Sequence, residues 1–306
     1  MRDAFIDELL NIAKSDSRVV LITADLGFGV LDKFRNEIPK QFINVGVAEQ
    51  NMIGIATGLA LEGYVAYCYS IGNFSTMRCL EQIRNDALYH NANVKVVAVG
   101  GGFSYGPLGM SHHATEDIAI MRALPGMKVI VPSTLEEAAA SANLAYKEHG
   151  VVYVRLDKSA ANLNISRDEL DLFEWQTVRE GKEVCLVTTG GILQESILAA
   201  VELESKGIDV KLISATNLTP NDPALVINSI SNCKLVVSIE EHFINGGLGG
   251  LLSEVIAEHC LGTKLIRLGL KPEHVSTIGS QNYLRKLSGI SAEGIVSATL
   301  GALTKE

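Results

Sequence analysis

Residues 44–54 read NVGVAEQNMIG, the end of an apolar strand followed at once by the start of a helix of small residues. Gly46 permits a tight turn between the two elements, because glycine accepts backbone angles that other residues avoid. The turn leaves one carboxylate, Glu49, at the corner. An acidic residue in the first turn of a helix commonly offsets the helix dipole, and this stretch alone favours that interpretation. A chemical role for Glu49 requires support from the rest of the chain.

Strands and helices alternate on both sides of this corner. Apolar runs predict strands, and amphipathic segments between most of them predict helices. This alternation is typical of a parallel sheet covered by helices, so we predict an α/β domain over residues 1–160. The predicted strands are residues 19–23, 42–45, 65–69, 94–99, 127–131 and 151–155.

The same rhythm restarts in the second half of the chain. Predicted strands at residues 184–189, 209–213 and 235–240 indicate a second, smaller α/β domain over residues 182–306. Between the domains, residues 161–181 are more polar and carry acids such as Asp168 and Glu169, so we predict an interdomain linker there. The expected fold is therefore two parallel-sheet domains, each a sheet between two helical layers.

The composition excludes several classes of partner. The chain has 306 residues and a formal charge of −9, with no run of Lys or Arg, which argues against nucleic-acid binding. It shows neither a signal peptide nor an apolar run long enough to span a membrane, so we expect a cytoplasmic protein. Its five cysteines are scattered without ligand spacing and are expected to be reduced.

A glycine turn, GGLGG at residues 246–250, leads from a strand into a helix in the second domain. Such a turn can hold a phosphate at a helix N-terminus. It lacks a Walker lysine and fits the dinucleotide pattern only loosely. Close packing of helix on strand, or an interface turn, is the favoured explanation.

The most conspicuous loop, GGGFSYGPLGMSHH at residues 100–113, follows a predicted strand of the first domain. Ligands of open α/β sheets bind at the carboxyl ends of the strands. Its glycines indicate a shaped backbone path, and His112 and His113 bring titratable rings to its end. Functional and structural roles for the pair remain equally open. A metal site would need carboxylate or cysteine spacing that is missing here, so none is predicted.

Four segments together resemble the thiamine-diphosphate-dependent transketolase family in order and spacing. The likeness covers nearly the whole chain: the pyrimidine-binding domain followed by the transketolase C-terminal domain. It is nearest to the small subunit of split, two-chain transketolases; deoxyxylulose-phosphate synthase and the β subunit of 2-oxoacid dehydrogenases are similar too. The segments are Ala24-Asp25-Leu26, Gly46 to Asn51, Ser111-His112-His113, and Glu240-Glu241-His242 with the glycines up to Gly249.

One family motif is missing. The chain contains no Gly-Asp-Gly followed by the Asn-rich end of the motif that binds diphosphate and magnesium. The resemblance therefore implies a separate larger subunit that carries the diphosphate-binding domain and holds Mg²⁺. Thiamine diphosphate would lie between the two chains, and a two-fold heterotetramer is expected.

The resemblance also implies roles for single residues. Glu49 corresponds to the family's cofactor-activating glutamate, which binds the aminopyrimidine and makes it a base. Asp25 would approach the cofactor across a subunit interface, although a helix or turn cap is the ordinary explanation for such an aspartate. Phe74 would stack on the pyrimidine, with a core position as the alternative. His112 is expected to contact the substrate and handle a proton or bind its carbonyl oxygen.

His113 is expected beside His112 in the substrate site. Arg155 and Lys158 follow a strand where relatives place basic phosphate contacts, and plain surface solvation is the alternative for both. Two positions depart from the pattern of sugar-phosphate transketolases, which have a histidine where this chain has Gly100 and an aspartate where it has Leu108. An atypical acceptor, such as an oxidised or nucleotide-linked sugar, is therefore expected.

The resulting hypothesis is a transketolase-like enzyme that transfers a two-carbon ketol or related acyl unit from a donor ketose or 2-oxoacid to an aldehyde or ketone sugar. A decarboxylating synthase or a 2-oxoacid dehydrogenase β-type subunit is the first alternative. A non-catalytic regulatory subunit that keeps the fold is the second.

Overall fold

The fold is described from a computed structural model that covers residues 1–163, 170–274 and 276–304. The acids Asp168 and Glu169 of the predicted linker lie outside these residues. The helices are α1 Arg2–Ser15, α2 Asp32–Glu37, α3 Glu49–Leu61, α4 Gly72–Ser75, α5 Leu80–Gln82, α6 Asp117–Arg122, α7 Leu135–Lys147, α8 Leu193–Ser205, α9 Ala224–Ile230, α10 Leu248–Glu258, α11 Gln281–Leu287 and α12 Ala292–Leu303. The strands are β1 Val19–Thr23, β2 Phe42–Asn44, β3 Val65–Ile71, β4 Val94–Val99, β5 Lys128–Ile130, β6 Val152–Leu156, β7 Gln176–Arg179, β8 Val184–Thr189, β9 Val210–Ser214, β10 Leu235–Phe243 and β11 Lys264–Leu270.

The strands form two sheets, as predicted. The first sheet is parallel throughout, in the order β2-β1-β3-β4-β6-β5. The second has the order β11-β10-β8-β9-β7 and is parallel except for β7. Helices cover both sheets, so the predicted α/β class is confirmed.

Alternating side chains of β1 show how the first domain is layered. All five residues of β1 are buried. Val20 and Ile22 pack in the core that contains Met52 of α3, whereas Leu21 packs on the other face with Phe5 of α1. Side chains point to opposite faces of a strand in turn, so a continuous apolar run requires helices on both sides.

The first of these cores continues into the second domain. It includes Ile22 and Met52 together with Val236 of β10 and Leu248 of α10. A shared apolar core holds the two domains against each other, because its burial removes apolar surface of both from water.

Two details differ from the sequence prediction. The stretch predicted as linker contains β7, which pairs antiparallel with β9 at the edge of the second sheet. Its four residues are too few to show a periodic pattern. The segment between β3 and β4, one of those where a helix is predicted between strands, ends as a 3₁₀ turn at Met77–Cys79, then α5, then a π-helix at Ile83–Leu88. Among the described residues, no helix is both long and apolar enough to cross a membrane.

Candidate active site

Glu49 is the first residue of α3, directly after the turn at Gly46, whose φ is +74°. The Glu49 side chain is 4% exposed, and its Oε2 accepts a hydrogen bond of 3.0 Å from Nη1 of Arg78. Arg78 follows β3, and β3 lies next to β1 in the first sheet. A buried carboxylate needs a partner of this kind. The carboxylate is thus more than a solvated helix-capping acid.

Arg78 also joins Glu49 to the two predicted rings. Its guanidinium carbon lies 4.1 Å from the centroid of the Phe74 ring. The His112 ring meets the edge of Phe74 with centroids 5.2 Å apart. The structure therefore brings Glu49, Phe74 and His112 into one contiguous group, with Arg78 at its centre. No sequence motif pointed to Arg78, and its position four residues after Phe74 was the only available signal.

His112 has the features of a neutral proton acceptor or donor. Burial lowers its pKa below the ordinary value, and the charges of His113 and Arg78 lower it further. Its Nδ1 lies 2.9 Å from Oγ of Ser111. A lowered pKa keeps the imidazole neutral at pH 7, the form in which one ring nitrogen donates and the other accepts.

Phe74 and Arg78 of this group border an open cleft of about 410 Å³, and Glu49 and His112 contact these two residues from behind its lining. The cleft is lined by Asn73, Phe74, Met77, Arg78, Met110, Ser111 and Glu116. Asn73 fastens one wall, since its Nδ2 donates to the carbonyls of Met110 and His113 at 3.0 and 2.8 Å. A larger cavity of about 600 Å³ lies beside α7, and none of the predicted site residues lines it. We therefore take the smaller cleft as the candidate site.

Asp25 lies at the same edge of the sheet but outside this cleft. It follows β1, is exposed and has a φ of +54°. Its amide donates to Oδ1 of Asn44 at 3.0 Å, and Nδ2 of Asn44 donates back to its carboxylate at 3.2 Å. The same Asn44 oxygen accepts from Gly46 N–H at 3.0 Å. Asp25 therefore braces the turn that leads to Glu49 and caps no helix.

The two adjacent histidines have separate environments. His113 is 3% exposed, its Nε2 lies 2.9 Å from the carbonyl oxygen of Gly106, and its ring packs on Phe103. These contacts are within the glycine-rich loop. The His113 ring does not line the cleft. We therefore assign it a structural role within the loop, contrary to the expectation that it binds substrate.

Arg155 and Lys158 also separate. Arg155 is 1% exposed; its Nε donates to Asp117 Oδ2 at 2.9 Å and its Nη2 donates to the carbonyls of Ala114 and Glu241, each at 3.0 Å. The Arg155 guanidinium is thus paired with acceptors of both domains and is buried, which corrects the expectation that it offers charge to a substrate. The ammonium of Lys158 is exposed and lies 3.7 Å from the centroid of Tyr105, whose ring contacts His112.

The glycine turn of the second domain is filled by a side chain of the protein. The carboxylate of Glu240 accepts the amides of Leu248 and Gly249 at the start of α10, each at 2.8 Å. A Cβ on Gly247 would lie 1.9 Å from Glu240 Oε2. Burial raises the pKa of Glu240 to about 7. The turn therefore serves close packing, the favoured explanation, because Glu240 occupies the place that a phosphate would need.

His242 is buried beside Glu240, with its Nδ1 3.6 Å from Glu240 Oε2. The Ala119 amide donates to its Nε2 at 3.3 Å, so its Nδ1–H donates to the carbonyl of Phe243. Burial lowers the pKa of His242 to about 4. The ring is neutral at pH 7 and links β10 to α6.

Within residues 1–163, 170–274 and 276–304, no three His, Cys, Asp or Glu side chains are grouped so that they could hold a metal ion. All five cysteines are free, and Cys260 is exposed while the others are buried.

Comparison with known families gives two matches that together span most of the chain. Residues 1–163 match the model of the transketolase pyrimidine-binding domain, and residues 174–295 match that of the transketolase C-terminal domain.

Individual relatives are similar over nearly their full length. A subunit of the apulose-4-phosphate transketolase of Actinobacillus succinogenes is 35% identical over 98% of this chain and 97% of its own. The 6-deoxy-6-sulfo-D-fructose transketolase subunit SqwH of Clostridium sp. (strain MSTE9) is 33% identical over 97% of this chain and 92% of its own. A solved structure titled "Split gene transketolase, inactive beta4 tetramer" superposes with a TM-score of 0.90 at 32% identity, covering 99% of this chain and 98% of that one.

Proposed function

This chain belongs to the transketolase family, and on that premise we propose that it is the small subunit of a two-chain, thiamine-diphosphate-dependent transketolase. The enzyme would transfer a two-carbon ketol or related acyl unit from a donor ketose or 2-oxoacid to an aldehyde or ketone sugar. The observation that carries this proposal is the line of contacts from Glu49 through Arg78 and Phe74 to His112.

The group of Glu49, Arg78 and Phe74 fits the aminopyrimidine of the cofactor. That ring needs a carboxylate beside a ring nitrogen and a flat apolar surface against its face. Glu49 is a buried carboxylate and Phe74 a half-buried ring, and both contact Arg78. The planar guanidinium of Arg78 already makes both kinds of contact at once, a hydrogen bond to Glu49 and stacking on Phe74. A flat nitrogen heterocycle can satisfy the same two groups.

When bound, thiamine diphosphate supplies a carbanion that attacks the donor carbonyl, and its own aminopyrimidine serves as the base. The Glu49 carboxylate would hold the proton shared with the pyrimidine nitrogen. Arg78 would turn away from Glu49 toward the solvent, where 48% of its side chain already lies. His112 would hydrogen-bond the carbonyl oxygen of the substrate and pass it a proton.

The partner and the metal are further parts of the proposal. A larger subunit would bring the diphosphate-binding domain and hold Mg²⁺, Asp25 would approach the cofactor across the interface, and two chains of each kind would form a two-fold heterotetramer. Relatives of matching length carry the word "subunit" in their names, and the solved relative is titled an inactive tetramer of one chain type. A cytoplasmic location follows from such a metabolic role.

The acceptor is proposed to be an anionic sugar that differs from ordinary sugar phosphates. A Cβ on Gly100 would lie 2.1 Å from the Tyr105 ring, so Tyr105 fills the space that a histidine would use in sugar-phosphate transketolases. Leu108 is 56% exposed where those enzymes have an aspartate. Lys158 above the Tyr105 ring supplies the positive charge at this side.

Reconstitution tests the proposal against both alternatives. The chain is mixed with its larger subunit, thiamine diphosphate and Mg²⁺, and offered ketose donors with aldehyde acceptors. Aldehyde-dependent transfer of two carbons supports the proposal. Release of CO₂ from pyruvate without transfer indicates a decarboxylating synthase or a dehydrogenase component, and inertness toward every donor indicates a regulatory subunit.

A further inference from the structure

The loop that carries His112 is bound at its base by a side chain of the second domain. Glu241 of β10 is 2% exposed, and its Oε1 accepts the amide of Phe103 at 2.6 Å. Its own position is fixed, because Gln281 donates to Oε1 at 2.9 Å and Arg285 donates to Oε2. Phe103 and Glu241 are 138 residues apart in the chain. This is a specific contact between domains.

The glycines of the loop are explained by the same domain. A Cβ on Gly102 would lie 2.5 Å from Oε1 of Glu241, and one on Gly106 would lie 2.3 Å from the carbonyl oxygen of Gly279. A Cβ on Gly109 would lie 3.0 Å from Cγ2 of Ile278. Gly102 and Gly106 therefore have no room for a side chain against the second domain, and Gly109 has only a tight fit there.

The contact at Phe103 is transmitted to His112 by the backbone of the loop. Gly102 and Ala114 exchange two hydrogen bonds, of 2.7 and 3.2 Å, which close the loop at its two ends. Inside it, the His112 amide donates to the carbonyl of Gly109 at 2.9 Å. A shift at Gly102 or Phe103 therefore changes where His112 stands relative to Phe74.

We propose that Glu241 is a positioning residue of the active site: it fixes residues 100–113 so that the His112 ring stays against Phe74, which lines the cleft. The second domain thereby shapes the substrate side of the site without touching the substrate. The effect on turnover rests on the proposed function, whereas the effect on the loop does not.

The first test measures the order of the loop in the isolated chain. Glu241→Gln keeps the volume but removes the charge that binds Arg285. Hydrogen exchange at residues 101–106 should become at least about tenfold faster, a loss of about 1.4 kcal/mol in local stability. The ring signals of His112 should titrate at a higher pH than in the wild type, because loosening returns water to the ring. Glu258→Gln, an exposed carboxylate of the same domain, is the matched control and should change neither.

A second variant keeps the test independent of any folding defect caused by Glu241→Gln. Gly102→Ala pushes a methyl group against the Glu241 carboxylate and should speed exchange in the same amides. In the double variant Gly102→Ala, Glu241→Ala the clash with the Glu241 side chain is gone, although the new Cβ still lies 2.8 Å from the Glu241 carbonyl oxygen. Its effect should therefore be smaller than the sum of the single effects. Strictly additive effects would overturn the proposed contact.

The last test uses the complex with the larger subunit. With Glu241→Gln, kcat for transfer should fall about tenfold while the dissociation constant of thiamine diphosphate changes less than about threefold, because Glu49 and Phe74 do not touch the loop base. Faster hydrogen exchange in the loop with an unchanged kcat would overturn the positioning role. Unchanged hydrogen exchange in the loop would overturn it as well. If the wild-type complex transfers nothing but Glu241→Gln still releases the loop and moves the His112 titration, the proposed function fails and the positioning of His112 stands.

Discussion

Nη1 of Arg78 donates a hydrogen bond of 3.0 Å to Oε2 of Glu49, pairing a side chain that is 48% exposed with one that is 4% exposed. The carboxylate is fixed at the start of α3, whereas the guanidinium can turn toward solvent at modest cost. Of the two partners, Arg78 is therefore the one that moves when a ligand takes its place.

Glu49→Gln should keep the fold and the assembly but lose most turnover. Glutamine matches glutamate in size and can still accept from Arg78, so the melting temperature should stay close to that of the wild type. A neutral amide cannot share a proton with the cofactor, and kcat should fall by at least about a hundredfold. Steady-state rates at saturating cofactor measure this, and undiminished activity would remove Glu49 from its central role.

Arg78→Met should bind thiamine diphosphate about tenfold more tightly in the complex, since loss of a competing charge-assisted hydrogen bond of about 1.5–3 kcal/mol frees Glu49 and Phe74. The same variant should be less stable without cofactor by about 1–2 kcal/mol, because a buried carboxylate is left unpaired. Calorimetric titration and urea unfolding give the two numbers. Arg78→Lys is the control that keeps the charge but loses the flat stacking surface. Weaker cofactor binding by Arg78→Met would contradict the proposal that the cofactor displaces Arg78 from Glu49.

His242→Gln should change how stability depends on pH. The folded-state pKa of His242 is about 4, below the unfolded value near 6.5, so the unfolded chain binds the proton first as pH falls. The contribution of His242 is complete above pH 6.5 and is lost toward pH 4. Glu240 acts in the opposite sense, because burial raises its pKa to about 7 in the folded chain. Its contribution to the free energy of unfolding is complete below about pH 4.5 and is lost as the pH rises to 7.

As the pH falls from 7 to 4.5, the wild type should therefore lose about 2–3 kcal/mol more of its free energy of unfolding than His242→Gln does. Urea unfolding at the two pH values measures the difference. Parallel pH curves for the two proteins would show that His242 is not held neutral by burial.

Gly247→Ala should destabilise the second domain by about 2 kcal/mol or more, because the new methyl group would overlap the Glu240 carboxylate and separate it from α10. Gly250→Ala is the matched control, since the nearest atom to its Cβ would be 3.6 Å away. Within a helix that change should be neutral or stabilising by about 0.5–1 kcal/mol. Thermal unfolding measures the melting temperatures of both variants. Equal melting temperatures would refute the role of the turn in packing.

The isolated chain should bind thiamine diphosphate weakly and gain affinity when the larger subunit is added, since the described residues supply contacts to only one part of the cofactor. Calorimetric titration with and without the partner measures the gain. Tight, magnesium-dependent binding by this chain alone would contradict the two-chain assembly.

The fold was largely predictable because its signals are local. Apolar runs of strand length alternating with amphipathic segments indicated two parallel sheets, and both are present, the second with one antiparallel edge strand. The strand β7 was not predictable in the same way, since a short edge strand with one half-buried face has too few apolar residues to stand out from a linker.

The sequence by itself determined the two α/β domains, the family resemblance and the corner where Glu49 stands, because strand and helix periods and a strand-to-helix turn are properties of neighbouring residues. Only the tertiary structure decided the partners. It set Arg78, 29 residues away, against Glu49, buried Arg155 between the domains, and placed Glu241 against the loop of His112. These pairings depend on strand order and on how one domain packs on the other, and residue spacing along the chain carries no record of either.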